Sequence, residues 1–262
     1  MSHQSFAELV RIMARLRAKD GCPWDREQTH ASLKPYMLEE AYEALEAIDA
    51  EDDGELCKEL GDVLLQVVFH AQIAAEEQRF DIDQVAQAIA DKLIRRHPHV
   101  FGDVKVDGAE QVLTNWEQIK RQERQDQTET PSVLDGVPKQ LPALLRAQRI
   151  QHKASKVGFD WPDAAGPLDK ISEELAELRR AVQAGDSAAT EDEFGDLLFA
   201  LVNLGRFLKL TPEEALRGAV EKFERRFRAV EEAVAEQGSK VEDLDLAALD
   251  RIWDQVKARE AN

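Results

Sequence analysis

The sequence predicts an all-α protein in which two helical-bundle modules, one a duplicate of the other, follow each other along the chain. Apolar residues recur mainly with the period of a helix, and the alternation typical of strands is scarce. Ala, Leu, Glu, Gln and Arg, which favour helix, are abundant. A pattern of acidic residues also occurs twice at one spacing, once in each half. With 262 residues, the chain is long enough for two modules of about four helices that each bury a core.

The first module is predicted to span residues 1–124. Near its start lies the segment Gly21-Cys22-Pro23-Trp24-Asp25, and it ends in a polar segment that begins at Trp116. Between them stands the acidic pattern, Glu39-Glu40-x-x-Glu43 followed by Glu59-x-x-Asp62. Steps of three and four residues place the carboxylates of each half-pattern on one helix face. The module is therefore expected to carry these acidic residues on two helices that lie side by side.

Residues 125–142 are predicted to be a linker, because the segment is polar and then rich in proline and glycine. The second module, residues 143–262, repeats the acidic pattern with every position moved by 134 residues, as from Glu40 to Glu174. It reads Glu173-Glu174-x-x-Glu177 and then Glu193-x-x-Asp196. The terminal segment recurs as well, with Trp253 matching Trp116. Two copies in one register indicate a duplicated site rather than two chance runs of glutamate.

Two antiparallel helices would direct four carboxylates of a module towards one point, which is unfavourable unless a cation binds there. Two like charges about 4 Å apart repel by roughly 4 kcal/mol at an effective dielectric constant near 20. Oxygen ligands without Cys or His favour Mg²⁺, Mn²⁺ or Ca²⁺ over zinc. Apolar runs follow both Asp62 and Asp196, so these helices are expected to be largely buried. The competing interpretation is a solvated face of glutamate-rich helix.

The net charge of −18 argues against DNA or RNA as a partner, because binding to such a polymer depends on many Lys and Arg contacts with phosphates. No apolar run approaches the roughly 20 residues needed to span a bilayer, and no signal-like segment begins the sequence. We therefore expect no nucleic acid polymer and no membrane as partners, and a cytoplasmic location.

Each module also carries a compact basic group with the pattern Lys-x-x-Arg-Arg. In the second module this basic group consists of Lys222, Arg225 and Arg226. Their side chains suit phosphate oxygens, but ion pairs within the helix, to Glu221 and Glu224, explain the pattern equally well. Trp253 is suited to stack on a nucleobase, and the competing interpretation is an anchor in the core.

These motifs together resemble the MazG-type nucleoside triphosphate pyrophosphohydrolases. The resemblance covers nearly all of the chain and rests on both acidic patterns and on three further segments, Gly21-Cys22-Pro23-Trp24-Asp25, Arg95-Arg96-His97-Pro98-His99-Val100-Phe101 and Lys222-Phe223-Glu224-Arg225-Arg226-Phe227. It implies an all-α, Mg²⁺-dependent enzyme, usually a homodimer, that hydrolyses a nucleoside triphosphate to the monophosphate and pyrophosphate. It also implies broad tolerance of the base and a role in clearing aberrant nucleotides.

The resemblance assigns roles to individual residues. The metal ligands would be Glu174, Glu177, Glu193 and Asp196 in the second module, and Glu40, Glu43, Glu59 and Asp62 in the first. The residues that would hold the nucleotide are Lys170, Lys222, Arg225, Arg226 and Trp253. Mg²⁺ is the expected cofactor, with Mn²⁺ as a substitute, and a carboxylate, Glu173 or Glu193, would accept the proton from water.

The two modules differ beside their acidic patterns. Tyr36 stands in the first module where the second has Lys170. Lys58 directly precedes the expected ligand Glu59, where it would compete with a metal if it pointed inward. The second module is therefore expected to be the main catalytic one, as the resemblance also implies.

Two other functions remain open from the residues alone. A non-catalytic, acidic helical interaction protein would carry the same repeats without metal-dependent turnover. A di-iron carboxylate bundle would need a Glu-x-x-His step on each of two helices, and the second module has no counterpart of Glu27-x-x-His30. The sequence favours the hydrolase over both.

Overall fold

A computed structural model of the chain describes residues 4–125 and 132–260. The chain divides into two compact units, Met1–Asp126 and Gln127–Asn262. Within the described residues the structure is all helical, without strands, as the sequence predicts. None of the helices in these two ranges combines the length and the apolar composition needed to cross a membrane. Residues 126–131 of the expected linker lie outside the described residues.

The first unit contains seven helices among its described residues. They are α1 (Gln4–Leu16), α2 (Pro23–Glu27), α3 (Lys34–Asp49), α4 (Asp53–Glu76), α5 (Ile82–Arg96), α6 (Pro98–Phe101) and α7 (Ala109–Gln125). The helices described in the second unit are α8 (Ala143–Ser155), α9 (Ala165–Ala184), α10 (Ser187–Phe207), α11 (Pro212–Glu236) and α12 (Leu246–Glu260), with a 3₁₀ turn at Val241–Asp243. Each unit thus has five long helices in its described part, where the sequence predicted about four.

The acidic patterns lie on the same helical hairpin in each unit. Helices α3 and α4 form this hairpin in the first unit, and α9 and α10 form it in the second. The second helix of each hairpin begins after an aspartate, Asp52 or Asp186, whose side chain accepts hydrogen bonds from backbone amides of the first turn. Gly185 ends α9 with a left-handed backbone, φ 69°, and Glu51 holds the equivalent position with φ 53°. Equal connections explain why the acidic residues keep one register.

Each unit has its own apolar core. In the first unit α1 packs on the second half of α4, where Met13, Val68 and Phe69 are almost completely buried. In the second unit α11 packs against α12 through Val230 and Val234 on one side and Ile252 and Val256 on the other.

The expectation that the acidic helices are largely buried is wrong for the single chain. Leu60 and Leu64 on α4 are 53% and 38% exposed, and Phe199 and Leu201 on α10 are both 45% exposed. The apolar runs after Asp62 and Asp196 have two faces, and the unit itself covers only one of them. An apolar face on each acidic hairpin is therefore left at the surface of the chain.

Arg17 holds the segment between α1 and α3 in place. Its guanidinium donates to the backbone oxygens of Asp25 and Gln28 and to both carboxylate oxygens of Glu76, at 2.9 and 2.8 Å, and it lies over the ring of Phe69. Only 6% of the Arg17 side chain is exposed. The segment begins with Gly21, where a Cβ atom would collide with the carbonyl oxygens of Arg15 and Leu16. One buried cation and one glycine thus hold the Gly-Cys-Pro-Trp-Asp turn of this sequence in place.

The tandem arginines of each basic group bind a glutamate on the last helix of their unit. Arg95 and Arg96 on α5 donate to Glu123 on α7, with the shortest distances 2.7 and 2.6 Å. Arg225 and Arg226 on α11 donate to Glu260 on α12 at 3.1 and 2.6 Å. The within-helix pairing with Glu221 and Glu224 that the sequence left open is not the arrangement found, since the partner comes from another helix.

This contact predicts a pH-dependent stability. The hydrogen bond from Arg96 is the main cause that lowers the pKa of Glu123 from 4.5 to about 2. A carboxyl group whose pKa is lowered by folding stabilises the folded state above its unfolded pKa, and this contribution is lost as the pH falls from about 4.5 towards 2. Glu123→Gln should therefore cost about 1–2 kcal/mol of unfolding free energy at pH 7, and the cost should shrink as urea denaturation is repeated between pH 5 and pH 3. An equal loss of unfolding free energy at pH 3 and pH 7 would contradict this prediction. Asp103→Asn, which removes the charge of an exposed carboxylate, is the control.

Candidate metal centre and nucleotide site

Three carboxylates of the second unit converge between α9 and α10. Glu174 and Glu177 lie one turn apart on α9, and Glu193 faces them from α10. One oxygen from each of the three lies within 4.8 Å of the other two. The Glu174 side chain is only 4% exposed, and Glu177 and Glu193 are half-buried. We call these three residues the C-terminal acidic group.

The surroundings of the C-terminal acidic group make the charged form of Glu193 less favourable. Burial first, and then the charges of Glu177 and Glu174, raise the pKa of Glu193. Lys170, one turn before Glu174, forms an ion pair with it and lies 3.1 Å from Glu173. The hydrogen bond to Glu174 is the main cause that raises the pKa of Lys170. The group thus holds one cation already and still favours uptake of a proton or a further positive charge.

A corresponding N-terminal acidic group consists of Glu40, Glu43 and Glu59, whose oxygens also lie within 4.8 Å of one another. Burial is the main cause that raises the pKa of Glu40, followed by the charge of Asp62. Burial, followed by the charge of Glu43, raises that of Glu59. The amide of the buried Gln66 donates to Glu40 at 3.5 Å. In both groups, therefore, burial and neighbouring carboxylates make a charged glutamate less favourable.

The residues beside the two groups differ. Tyr36, at the position of Lys170, lies edge-on to Trp24 with the ring centroids 6.0 Å apart, so the N-terminal group lacks the neighbouring lysine. Lys58 pairs with Glu55 at 2.6 Å and is mostly exposed. Lys58 does not point into the acidic group. In this conformation it would therefore not compete with a metal ion for Glu59, as the sequence suggested it would if it pointed inward.

The structure does not bring all of the expected ligands together. Asp62 lies close enough to raise the pKa of Glu40, but neither Asp62 nor Asp196 belongs to the three-residue groups. Asp196 is exposed on α10. Glu173, one of the two expected proton acceptors, is exposed and faces Lys170 rather than the C-terminal acidic group. Three glutamates, rather than four carboxylates, form the core of each candidate site.

The donors of both groups fit a hard divalent cation. Mg²⁺ binds oxygen ligands at about 2.1 Å and Ca²⁺ at about 2.4 Å, so ligands of one ion lie at most about 4–5 Å apart. The oxygens of each acidic group satisfy this limit. Burial and, after it, repulsion raise the pKa of Glu193 and Glu40, and a bound cation would offset both effects. The three-glutamate arrangement is therefore suited to bind a divalent metal through oxygen atoms.

The basic group of the second module lies on a different pair of helices. Lys222 and Arg225 are exposed on α11, and Arg226 is half-buried. Helix α11 packs mainly on α12 and α8, whereas α9 packs mainly on α10. Within the part of the chain that the structure describes, no ion pair joins this basic group to the C-terminal acidic group. The expected phosphate-binding residues and the expected metal ligands therefore stand on separate helix pairs of the unit.

Trp253 is partly an anchor of the core. It packs at the edge of the α11–α12 core, and its ring centroid lies 5.3 Å from that of Phe223. The side chain remains half-buried, so one part of the indole stays accessible. Both interpretations left open by the sequence therefore retain support from its position.

The sequence interpretation missed an arginine beside the acidic group. Arg180, on α9, forms an ion pair with Glu177 at 3.1 Å. It lines an open cavity of about 300 Å³ together with Glu177, Glu193 and Asp186. A comparison of the two modules could have revealed Arg180, because Glu46, of opposite charge, occupies the equivalent position in the first module.

The histidine considered for a di-iron site is engaged elsewhere. His30 Nδ1 lies 2.7 Å from His70 Nδ1, and Arg79 contacts its other ring nitrogen. Among the described residues, both candidate metal groups consist of glutamates alone. The Glu-x-x-His requirement of a di-iron carboxylate bundle is thus not met by these groups.

Comparisons with known proteins match the two regions of the chain that contain the acidic groups. The model of the MazG nucleotide pyrophosphohydrolase domain matches residues 28–101 and 167–230, which include both acidic groups. A nucleoside triphosphate pyrophosphohydrolase of Escherichia coli strain K12 is 51% identical over 257 residues, covering 96% of this chain and 97% of that protein. A protein of Thermotoga maritima named nucleoside triphosphate pyrophosphohydrolase/pyrophosphatase MazG is 51% identical over 252 residues, with 96% and 95% covered. A nucleoside triphosphate pyrophosphohydrolase of Mycobacterium tuberculosis is 35% identical over 257 residues, with 96% and 67% covered.

Proposed function

Because the chain belongs to the MazG nucleotide pyrophosphohydrolase family, we propose that its C-terminal acidic group hydrolyses nucleoside triphosphates to monophosphates and pyrophosphate with the help of Mg²⁺. The chain is similar to these enzymes over nearly its whole length, so it is a nucleoside triphosphate pyrophosphohydrolase. This similarity argues against the alternative of a non-catalytic interaction protein. The observation that carries the assignment of the site is the convergence of Glu174, Glu177 and Glu193 beside Lys170.

The second module is proposed as the main catalytic module. Both acidic groups have three glutamates at the same spacing, but the C-terminal group alone is accompanied by a lysine from the preceding turn. Triphosphates and their transition states carry several negative charges, so a cation fixed beside the metal site favours binding and reaction. The N-terminal acidic group is proposed to bind a metal ion with little or no turnover.

The residues of the C-terminal acidic group would share the chemical work. When bound, Mg²⁺ supplies positive charge to phosphate oxygens and lowers the pKa of a water molecule. Glu193, whose pKa is raised by its surroundings, is suited to hold a proton at a carboxylate oxygen, and Glu173 is the alternative proton acceptor. Lys170 stays charged beside them and keeps Glu174 in place. Asp196 would complete the ligand set after a change of side-chain rotamer.

The nucleotide is proposed to be bound by Lys170 together with residues of α11 and α12. Lys222, Arg225 and Arg226 would hold phosphate oxygens, and Trp253 would stack on the base through its accessible part. Glu260 binds the Nε atoms of both arginines, so the outer nitrogens of each guanidinium remain suited to a phosphate. Stacking is tolerant of base identity, which supports the proposed breadth of nucleoside triphosphate and deoxynucleoside triphosphate substrates. Clearing of aberrant nucleotides in the cytoplasm is the proposed role.

We also propose a homodimer, because each acidic hairpin exposes an apolar face. Leu60, Leu64, Phe199 and Leu201 stand on α4 and α10, which carry the second half of each acidic pattern. Large exposed apolar faces beside a functional site commonly mark an interface. Light scattering after size exclusion should give twice the chain mass of 29.5 kDa. A mass of one chain at micromolar concentration would contradict the proposal.

The experiment that tests the proposed function compares nucleotides and metals. Wild-type protein is incubated with the four ribonucleoside and four deoxynucleoside triphosphates, each with Mg²⁺, Mn²⁺, Ca²⁺ or a chelator. We expect pyrophosphate release from several bases with Mg²⁺ or Mn²⁺ and none with the chelator. Strong preference for one base would contradict the proposed tolerance, and metal-independent release would contradict the proposed cofactor.

A further inference from the structure

A cationic side chain lines the cavity beside the C-terminal acidic group. The cavity, of about 300 Å³, is lined by residues of α9 and α10, Glu177 and Glu193 among them. Small side chains, including Ala181 and Ala189, also line it. Arg180 also lines it, and 72% of the Arg180 side chain is exposed. The cavity is therefore open to a solute and is lined by three carboxylates, including that of Asp186, and by one exposed cation.

The charge at this position is opposite in the two modules. Arg180 corresponds to Glu46 after the shift that superimposes the acidic patterns, and Glu46 is likewise exposed. The acidic residues themselves are the same in both modules. Lys170 in place of Tyr36 and Arg180 in place of Glu46 make the surroundings of the C-terminal acidic group more positive than those of the N-terminal group. Asp192 in place of Lys58 acts in the opposite direction, so the positive charge of the second module comes from α9.

The ion pair between Arg180 and Glu177 competes with metal binding. Glu177 is one of the three residues whose oxygens converge, so a divalent cation there would use its carboxylate. Arg180 would then lose its anionic partner and keep its place at the cavity. An exposed ion pair three residues apart on a helix is weak, about 0.2–0.5 kcal/mol, so its exchange for a phosphate contact has little cost. Lys170, in contrast, remains held by Glu174 and Glu173.

We propose that Arg180 is a substrate-binding residue of the second module, whose guanidinium binds phosphate oxygens of the nucleoside triphosphate once a metal occupies the C-terminal acidic group. The inference rests on the proposed function, because it requires a triphosphate at this group. Arginine suits the role since its planar donors match two phosphate oxygens at once. Glutamate at the same place in the first module would repel the same ligand. The charge of the side chain at this position therefore helps to determine which module binds a triphosphate.

The test uses four variants of the full chain, Arg180→Ala, Arg180→Lys, Arg180→Glu and the control Arg179→Ala. Arg179 is exposed on the same helix and is not among the residues that line the cavity. Calorimetry measures binding of Mn²⁺ alone, and then of a triphosphate analogue with a methylene bridge between the α and β phosphorus atoms. We expect Arg180→Ala to weaken analogue binding about tenfold or more, Arg180→Glu to weaken it further and Arg180→Lys to recover part of the loss. Binding of Mn²⁺ alone should not weaken, and KM should rise more than kcat falls.

Each remaining outcome separates this inference from the proposed function. If wild type hydrolyses triphosphates and Arg180→Ala binds the analogue as tightly as Arg179→Ala does, the inference about Arg180 is wrong and the proposed function stands. If Arg180→Ala weakens Mn²⁺ and analogue binding by the same factor, Arg180 acts on the acidic group rather than on substrate, and the inference is again wrong. If wild type neither binds the analogue nor releases pyrophosphate, the proposed function fails and the inference fails with it.

Discussion

Replacing Glu174 by glutamine is expected to lower kcat/KM for nucleoside triphosphates about 100-fold or more. Glu174 is almost completely buried, belongs to the C-terminal acidic group and is paired with Lys170. Loss of a residue that only supports a metal ligand typically costs 10-fold to 100-fold, so loss of a ligand itself should cost at least as much. The substitution keeps the size and shape of the side chain, which isolates the effect of charge. Steady-state kinetics and Mn²⁺ titration of the same samples check it.

Glu40→Gln is the matched control for Glu174→Gln. It removes the equivalent carboxylate from the N-terminal acidic group, where the pKa of Glu40 is raised and no lysine accompanies the cluster. We expect its kcat/KM to fall far less than that of Glu174→Gln. A larger loss in Glu40→Gln would reverse the assignment of the catalytic module. Equal losses in both would contradict the proposed division of labour.

Replacing Arg17 by methionine is expected to destabilise the first unit by about 3 kcal/mol. The substitution keeps most of the apolar stem but removes hydrogen bonds to Asp25, Gln28 and Glu76. Removing one partner of a buried, charge-assisted network commonly costs about 3–5 kcal/mol, and the partial exposure of Glu76 reduces this figure. Hydrogen exchange resolved by peptide should show about 100-fold faster exchange in α1, α4 and residues 21–30.

The control for Arg17 is its neighbour Arg15. Arg15 pairs with Asp20 at 2.5 Å, but the two side chains are 62% and 78% exposed. Arg15→Met should therefore change the unfolding free energy of the first unit by less than about 0.5 kcal/mol. If Arg15→Met and Arg17→Met have equal effects, the buried network around Arg17 does not hold the turn in place.

The helices and the convergence of the glutamates follow from local spacing. Residues three and four apart on a helix share a face, and the equal hairpin connections keep Glu177 opposite Glu193, as they keep Glu43 opposite Glu59. The sequence therefore predicted the all-α class and which glutamates lie together, while their role as metal ligands stays a prediction. Asp62 and Asp196 follow the same spacing but do not belong to the three-residue groups, and spacing alone did not reveal this difference.

The contacts that periodicity did not reveal join residues far apart in sequence. Arg17 binds Glu76, and Arg226 binds Glu260 rather than the nearby Glu224, since both depend on how separate helices pack. No pattern of three or four residues encodes such a pairing. The exposed apolar residues on α10 are a further example, because period alone cannot tell which face of a helix its own chain covers.

The measurement that most directly tests the central claim is identification of the products formed by wild type, Glu174→Gln and Glu40→Gln from a nucleoside triphosphate, with and without Mg²⁺. The account predicts equal amounts of monophosphate and pyrophosphate from wild type with Mg²⁺, almost none from Glu174→Gln and substantial amounts from Glu40→Gln. Diphosphate and inorganic phosphate as products, or undiminished pyrophosphate from Glu174→Gln, would contradict hydrolysis at the C-terminal acidic group.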